Sequence, residues 1–149
     1  MLKLLIGNPV HSLGSIRVLH IDDQVDTLVI TKKILERIDK SLKIEFTTSS
    51  CELLEMLRGG SVDCVVVDYK MPEIDGVSLA QKIREFSDVP IILYTGIDAE
   101  EVASAAFSRG VDSFVKKEID PAHFLLLAKT IQNNVDEHRG KRIHQIQTL

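Results

Sequence analysis

The stretch Val65-Val66-Val67-Asp68-Tyr69-Lys70-Met71-Pro72-Glu73-Ile74-Asp75-Gly76 decides the fold. Three consecutive β-branched apolar residues read as a strand buried on both faces, the pattern of a parallel sheet covered by helices. The strand delivers a lone carboxylate, Asp68, into a loop stiffened by Pro72 and closed by the turn-type pair Asp75-Gly76. In open α/β sheets the ligand crevice lies outside the carboxyl ends of the strands, where strand order reverses. Asp68 therefore stands where chemistry is expected, or else it caps the helix that follows.

Toward the N-terminus, Ile16 to Ile21 predicts a first strand that runs straight into Asp22-Asp23. Asp26 is expected to cap a helix with the apolar stripe Ile30, Ile34, Leu35 and Ile38, ending near Asp39. Lys43 to Thr47 alternates as a half-covered strand, which suits an outer position in the sheet. Ser49 and Glu52 form a capping box for a short helix with the stripe Leu53, Leu54 and Leu57, ended by Gly59-Gly60.

Toward the C-terminus, Leu79, Ile83 and Phe86 mark a third helix, and Pro90 to Tyr94 a buried strand that delivers Thr95-Gly96. Asp98 and Glu101 repeat the capping-box pattern for a helix from Ala99 to about Arg109, stopped by Gly110. Ser113 to Lys116 is a short strand leading to Lys117. Asp120-Pro121 opens a last helix with the core stripe Phe124, Ala128, Ile131 and Val135, expected to fade at His138-Arg139-Gly140. The expected organisation is residues 1–15 as a leader or arm, 16–137 as one domain, and 138–149 as a tail or linker.

Five strands alternating with five helices make an α/β (βα)5 chain with parallel strands and right-handed crossovers. The simplest arrangement is a flavodoxin-like five-stranded parallel sheet ordered 2-1-3-4-5, with its switch point between strands one and three. That order sets Asp22 and Asp23 beside Asp68.

Composition narrows the function classes. The 149 residues suit a single core, and the net charge of −4, with no basic patch interleaved with aromatics, argues against a nucleic-acid surface. Cys51 and Cys64 lack metal or redox spacing and read as reduced packing residues, which suits a cytoplasmic protein. The apolar runs are too short for a membrane span, and the N-terminal one is too short for a signal peptide. None of the five histidines has metal spacing such as HExxH, and all are read as structural or surface residues.

Asp22, Asp23, Asp68, Thr95 and Lys117 are thus expected at one sheet edge. Crowded carboxylates repel, and a hard divalent cation relieves that repulsion; oxygen-only ligands with room for water and phosphate favour Mg²⁺. The ammonium of Lys117 and the hydroxyl of Thr95 can reach oxygens of a phosphoryl group on Asp68. Phosphoryl transfer asks a protein mainly for positioning and neutralisation of the equatorial oxygens, so an acyl phosphate on Asp68 is the natural product. An aspartate-nucleophile phosphatase would want a second carboxylate two residues on, where Lys70 stands. A flavodoxin would want a phosphate loop where Asp22-Asp23 would repel the phosphate.

These residues resemble the receiver domain of two-component response regulators, of the chemotaxis-regulator type, over roughly Ile16 to Val135. The resemblance rests on Ile21-Asp22-Asp23, Val67-Asp68-Tyr69-Lys70-Met71-Pro72 with Asp75-Gly76, Thr95-Gly96, and Phe114 three residues before Lys117. It implies that Asp68 is phosphorylated from a phosphohistidine on a sensor histidine kinase or phosphotransfer protein. It also implies that Asp22, Asp23, Asp68 and the backbone carbonyl of Lys70 hold Mg²⁺. Thr95 and Lys117 would contact the phosphoryl group, and Phe114 would repack when Thr95 moves.

Output is expected through protein contacts of strand five with helices four and five, a face that also suits a homodimer. Neither nucleic acid nor membrane is an expected partner, and the chain is expected to act on its own phosphoryl group rather than as a metabolic enzyme. The alternative is the N-terminal receiver module of a hybrid sensor kinase or another multidomain signalling protein. Strand alternation lets only one of Lys116 and Lys117 face Asp68, and counting from Gly110 and Phe114 selects Lys117. The chain departs from the family at Glu118, where proline is usual.

Overall fold

The computed structural model describes residues 15–96 and 100–148, with the side chains of residues 100, 101 and 143–148 outside that description. The elements run β1 (Ile16–Ile21), α1 (Val25–Ile38), β2 (Leu42–Thr47), α2 (Ser50–Arg58), β3 (Cys64–Val67), α3 (Gly76–Arg84), β4 (Ile91–Thr95), α4 (Glu100–Ser108), β5 (Ser113–Lys116) and α5 (Ala122–Thr148). All strand pairs are parallel and the order is β2-β1-β3-β4-β5, the arrangement expected from the sequence. Among the described residues, no helix is long and apolar enough to cross a membrane.

Alternation along the strands divides the core into two layers. Leu19, Ile21, Val65, Val67, Ile91 and Leu93 meet Leu53 and Leu57 of α2, Leu79 and Ile83 of α3, and Ala106 of α4. Val18, Val66, Ile92, Tyr94 and Val115 meet Leu35 of α1 and Leu127, Ala128, Ile131 and Val135 of α5. All four residues of β3 are buried, as its apolar run requires. Register brings Ile21 opposite Val67, Val67 opposite Leu93, and Thr95 opposite Lys116, so the residues that follow or end these strands leave the sheet at one edge.

Several local expectations are corrected. Helix α1 is capped at Gln24, whose backbone N–H donates to Asp22 Oδ1 at 2.9 Å, and Asp26 lies in the first turn instead. Its buried residues are Leu28, Thr31 and Leu35, while Ile30 and Ile38 are 51% and 39% exposed. The helix starts where the Asp22 carboxylate turns the chain, and that start sets which residues face the sheet. Asp75-Gly76 is not a loop-closing turn: Asp75 caps α3, accepting from the Ser78 backbone N–H at 2.8 Å, and Gly76 is the first helical residue. Asp68 is thereby excluded as the cap.

Helix α5 does not fade at His138-Arg139-Gly140 but runs to Thr148. A glycine inside a helix costs about 1 kcal/mol. Around Gly140 the helix is fastened by Arg139 to Asp63 at 3.4 Å, with Lys141 to Glu137 at 3.4 Å along its own surface. Leu127 is fully buried in its stripe, and Phe124 only partly. Thr95 ends β4 rather than following it, and Phe86 packs on the core just beyond the end of α3. The capping box expected at Asp98 and Glu101 falls outside the described residues.

Two further features matter later. At the free edge of β2, Glu36 accepts from the Ile44 backbone N–H at 2.8 Å, and Lys32, paired with Glu36 at 2.9 Å, donates to the Ile44 carbonyl at 2.5 Å. Against the first core layer, a Cβ on Gly76 would lie 2.3 Å from the Asp68 carbonyl oxygen and 3.1 Å from Leu93 Cδ1. Gly76→Ala should accordingly lower stability by about 1–3 kcal/mol, the usual cost of an overpacked core. An unchanged urea midpoint would count against the close approach.

His20, in β1, is buried with neither ring nitrogen partnered. Burial first, and then the charge of Lys117, push its pKa down from 6.5 to about 3. The unfolded chain therefore binds a proton across that window that the folded chain refuses. The neutral ring's contribution is complete above pH 6.5 and is lost as pH falls toward 3. His20→Leu should flatten the decline of the urea midpoint between those values, and an unaltered slope would reject the assignment.

Candidate functional site

Four strand ends converge. Asp22, directly after β1, is fully buried; its Oδ1 is held by the Gln24 N–H, and its Oδ2 accepts from Lys117 Nζ at 2.5 Å. Asp23 stands partly open to solvent. Asp68 follows β3, its N–H donating to the Ile21 carbonyl at 3.1 Å, its Oδ1 accepting from the Tyr69 N–H at 2.9 Å and lying 3.6 Å from Lys117 Nζ. The hydroxyl of buried Thr95 hydrogen-bonds to the Asp68 carboxylate. The backbone N–H of Lys117 donates to the Thr95 carbonyl at 2.9 Å, which extends the β4–β5 ladder by one bond and fixes where the lysine leaves the sheet.

The electrostatics are unbalanced. Carboxylate oxygens of Asp22, Asp23 and Asp68 lie within 4.8 Å of one another around a single ammonium. Burial raises the pKa of Asp68 and the Asp22 charge adds to it, while Lys117, Thr95 and the Tyr69 N–H oppose the rise. A residual negative charge on hard oxygen donors fits a hard divalent cation and not a thiophilic metal. The surrounding cleft, about 540 Å³, is lined by Asp23, Gln24, Asp68, Lys70, Thr95 and Lys117 among others.

Asp22, Asp23, Asp68, Thr95 and Lys117 come together, and the exposed side chain of Lys70 borders the same cleft. Lys116 pairs with Thr95 in the ladder and is exposed, leaving Lys117 as the lysine that reaches the carboxylates. Phe114, partly buried, packs on the core layer of α2, α3 and α4. Every peptide bond among the described residues is trans, and with Glu118 in place of proline Lys117 still reaches both carboxylates.

Sequence reasoning missed three contributors. Gln24 holds Asp22 through its backbone; Gly76 passes against the Asp68 backbone, and its turn-like pairing with Asp75 hid that role. Tyr94 places its ring centroid 5.3 Å from Lys117 Nζ. Its position one residue before Thr95 was the available signal.

Comparison with known proteins agrees with this geometry. Residues 18–129 match the model of the response regulator receiver domain. The cyclic di-GMP phosphodiesterase response regulator RpfG of Xanthomonas campestris pv. campestris (strain 8004) is 33% identical over 104 residues, covering 68% of this chain and 28% of that protein. The transcriptional regulatory protein SrrA of Staphylococcus aureus (strain NCTC 8325 / PS 47) is 29% identical over 114 residues, covering 76% of this chain and 46% of that protein. The chain thus spans less than half the length of these two curated relatives. A response regulator receiver domain protein from Clostridium thermocellum superposes with a TM-score of 0.73 at 25% identity, covering 83% of this chain and 97% of the other. With the family model spanning most of the chain and the acidic pair, strand-end aspartate, threonine and lysine gathered at one edge, the chain belongs to the response regulator receiver domains of two-component systems.

Proposed function

We propose that Asp68 is the phosphoacceptor of a two-component phosphorelay. A phosphohistidine on a sensor histidine kinase or phosphotransfer protein is the donor. The observation that carries this reading is Lys117 Nζ set 2.5 Å from Asp22 and 3.6 Å from Asp68, with the Thr95 hydroxyl on the same Asp68 carboxylate. In the transfer, an Asp68 carboxylate oxygen forms the new O–P bond as the N–P bond to the donor imidazole breaks, and the departing imidazole takes a proton from solvent. Lys117 and Thr95 supply an ammonium and a hydroxyl to the phosphoryl oxygens, where charge must be held in a partly water-excluded site.

Asp22, Asp23, Asp68 and the Lys70 carbonyl are the groups that would hold Mg²⁺, whose chemistry there is neutralisation of charge on the phosphoryl oxygens. Thr95 closing on the new oxygens and Phe114 repacking would shift the population of two states, each stabilised by different contacts to the phosphate. The face built by β5, α4 and α5 would then change its preferred protein partner or pair with a second copy. On this reading the chain, with residues 16–137 as its receiver unit, works in the cytoplasm. It catalyses only its own phosphorylation and hydrolysis, and addresses neither nucleic acid nor membrane directly.

A second reading, the N-terminal receiver module of a hybrid sensor kinase or other multidomain signalling protein, is supported by the greater length of its relatives. Either way the chemistry at Asp68 is the same. With Mg²⁺ and a small acyl phosphate, wild-type protein should be labelled and Asp68→Asn should not; equal labelling of both would remove the assignment. Lys70→Ala should change the dephosphorylation rate, because a solvent-facing cation borders the cleft. Identical decay curves would dismiss that role.

A further inference from the structure

We propose that Tyr94 is a positioning residue for Lys117, held in that role by His123 of α5 and Thr31 of α1. The proposal rests on the phosphoacceptor reading of Asp68 and adds to it a support on the far layer of the sheet. Tyr94 is 1% exposed, belongs to the core layer of α1 and α5, and lies next in sequence to Thr95. Its ring gives the Lys117 ammonium a third partner besides the two carboxylates, at 5.3 Å from the centroid. A cation within about 6 Å of an aromatic face is attracted by the ring's quadrupole, and more strongly where water is excluded.

The hydrogen bonds around the ring have a determined direction. His123 Nδ1 lies 2.8 Å from the Asp120 carbonyl oxygen, which can only accept, so the imidazole carries its proton on Nδ1. In the neutral ring Nε2 is then an acceptor, and the Tyr94 hydroxyl, 2.7 Å away, donates to it. The side chain of Thr31, buried in α1, approaches the same phenol. Two helices, α1 and α5, thus meet at one hydroxyl. The rings of His20 and His123 flank Tyr94 at centroid distances of 5.9 and 5.8 Å.

The clamp has no proton to pass on. Burial first, with the Asp22 charge adding to it and the Thr31 bond opposing, pushes the Tyr94 phenol up to about 12, so it stays neutral at any working pH. What the arrangement supplies is stiffness. A lysine stem has four rotatable bonds, and in transfer its ammonium must stay beside the Asp68 oxygens. A fixed ring under the ammonium narrows the positions it samples. Thr31 also explains a polar residue in the α1 stripe, where an aliphatic would otherwise be expected.

The test uses the full chain with Mg²⁺ and a small acyl phosphate, following the maximal phosphorylation rate and the donor concentration at half-maximum. Tyr94→Leu should lower the maximal rate about two- to five-fold, the range expected for losing one cation–ring contact, and leave the half-maximal concentration in place. His123→Ala should lower the rate by up to about two-fold and His123→Gln, which keeps an acceptor, should restore it. The ¹H–¹⁵N signal of Lys117 Nζ should broaden in the same order.

Wild-type rates in both Tyr94→Leu and His123→Ala would overturn the proposal, as would a fall in His123→Ala that His123→Gln fails to restore. If Tyr94→Leu does not fold, the His123 pair alone decides. Labelling that persists in Asp68→Asn would instead remove the phosphoacceptor reading itself. Labelling confined to Asp68 with unaltered Tyr94 and His123 variants would remove only the positioning role.

Discussion

One ammonium among three carboxylates is the constraint on which this molecule depends. Lys117 lies in contact with fully buried Asp22 and within reach of Asp68, where its charge opposes the rise that burial imposes on the Asp68 pKa. The geometry that permits this comes from the backbone. Parallel strands whose ends are level bring residues 22, 68, 95 and 117 to one edge, although they are scattered over most of the chain. The sheet order supplies proximity, and the β4–β5 ladder, extended by the bond from Lys117 N–H to the Thr95 carbonyl, supplies direction.

The fold and the central group of residues were legible because both are written in local pattern. A run of β-branched residues ending in Asp68, repeated strand-then-helix periodicity, and polar residues at every strand end need no knowledge of distant contacts. What stayed hidden depends on side chains reaching across the fold. The phase of α1 follows from Asp22 holding Gln24, so of the expected stripe Ile30, Ile34, Leu35 and Ile38 only Leu35 is fully buried, while Ile30 and Ile38 face outward. Asp75-Gly76 has the composition of a turn, and only the approach of Asp68 to Gly76 shows that it opens a helix instead. Gly140 looked like a helix end because the tertiary fastening of Arg139 to Asp63 is not a sequence signal.

The acidic pair, the strand-end aspartate, the threonine and the lysine form the centre of the site. Around them lie Glu118 after the lysine, the cation of Lys70, and Tyr94 bonded to His123. None of these residues supplies a carboxylate oxygen to the acidic cluster of Asp22, Asp23 and Asp68.

The pairing of Lys32 and Glu36 with the backbone of Ile44 bears on how copies of the chain meet. An outermost strand normally offers its peptide groups to any extended segment that passes, the route by which sheets fuse and fibrils grow. Here both peptide groups of Ile44, near the middle of that strand, are already occupied by a neighbouring helix. A second extended segment adding to this edge at Ile44 would first have to displace Lys32 and Glu36 from the strand they cover.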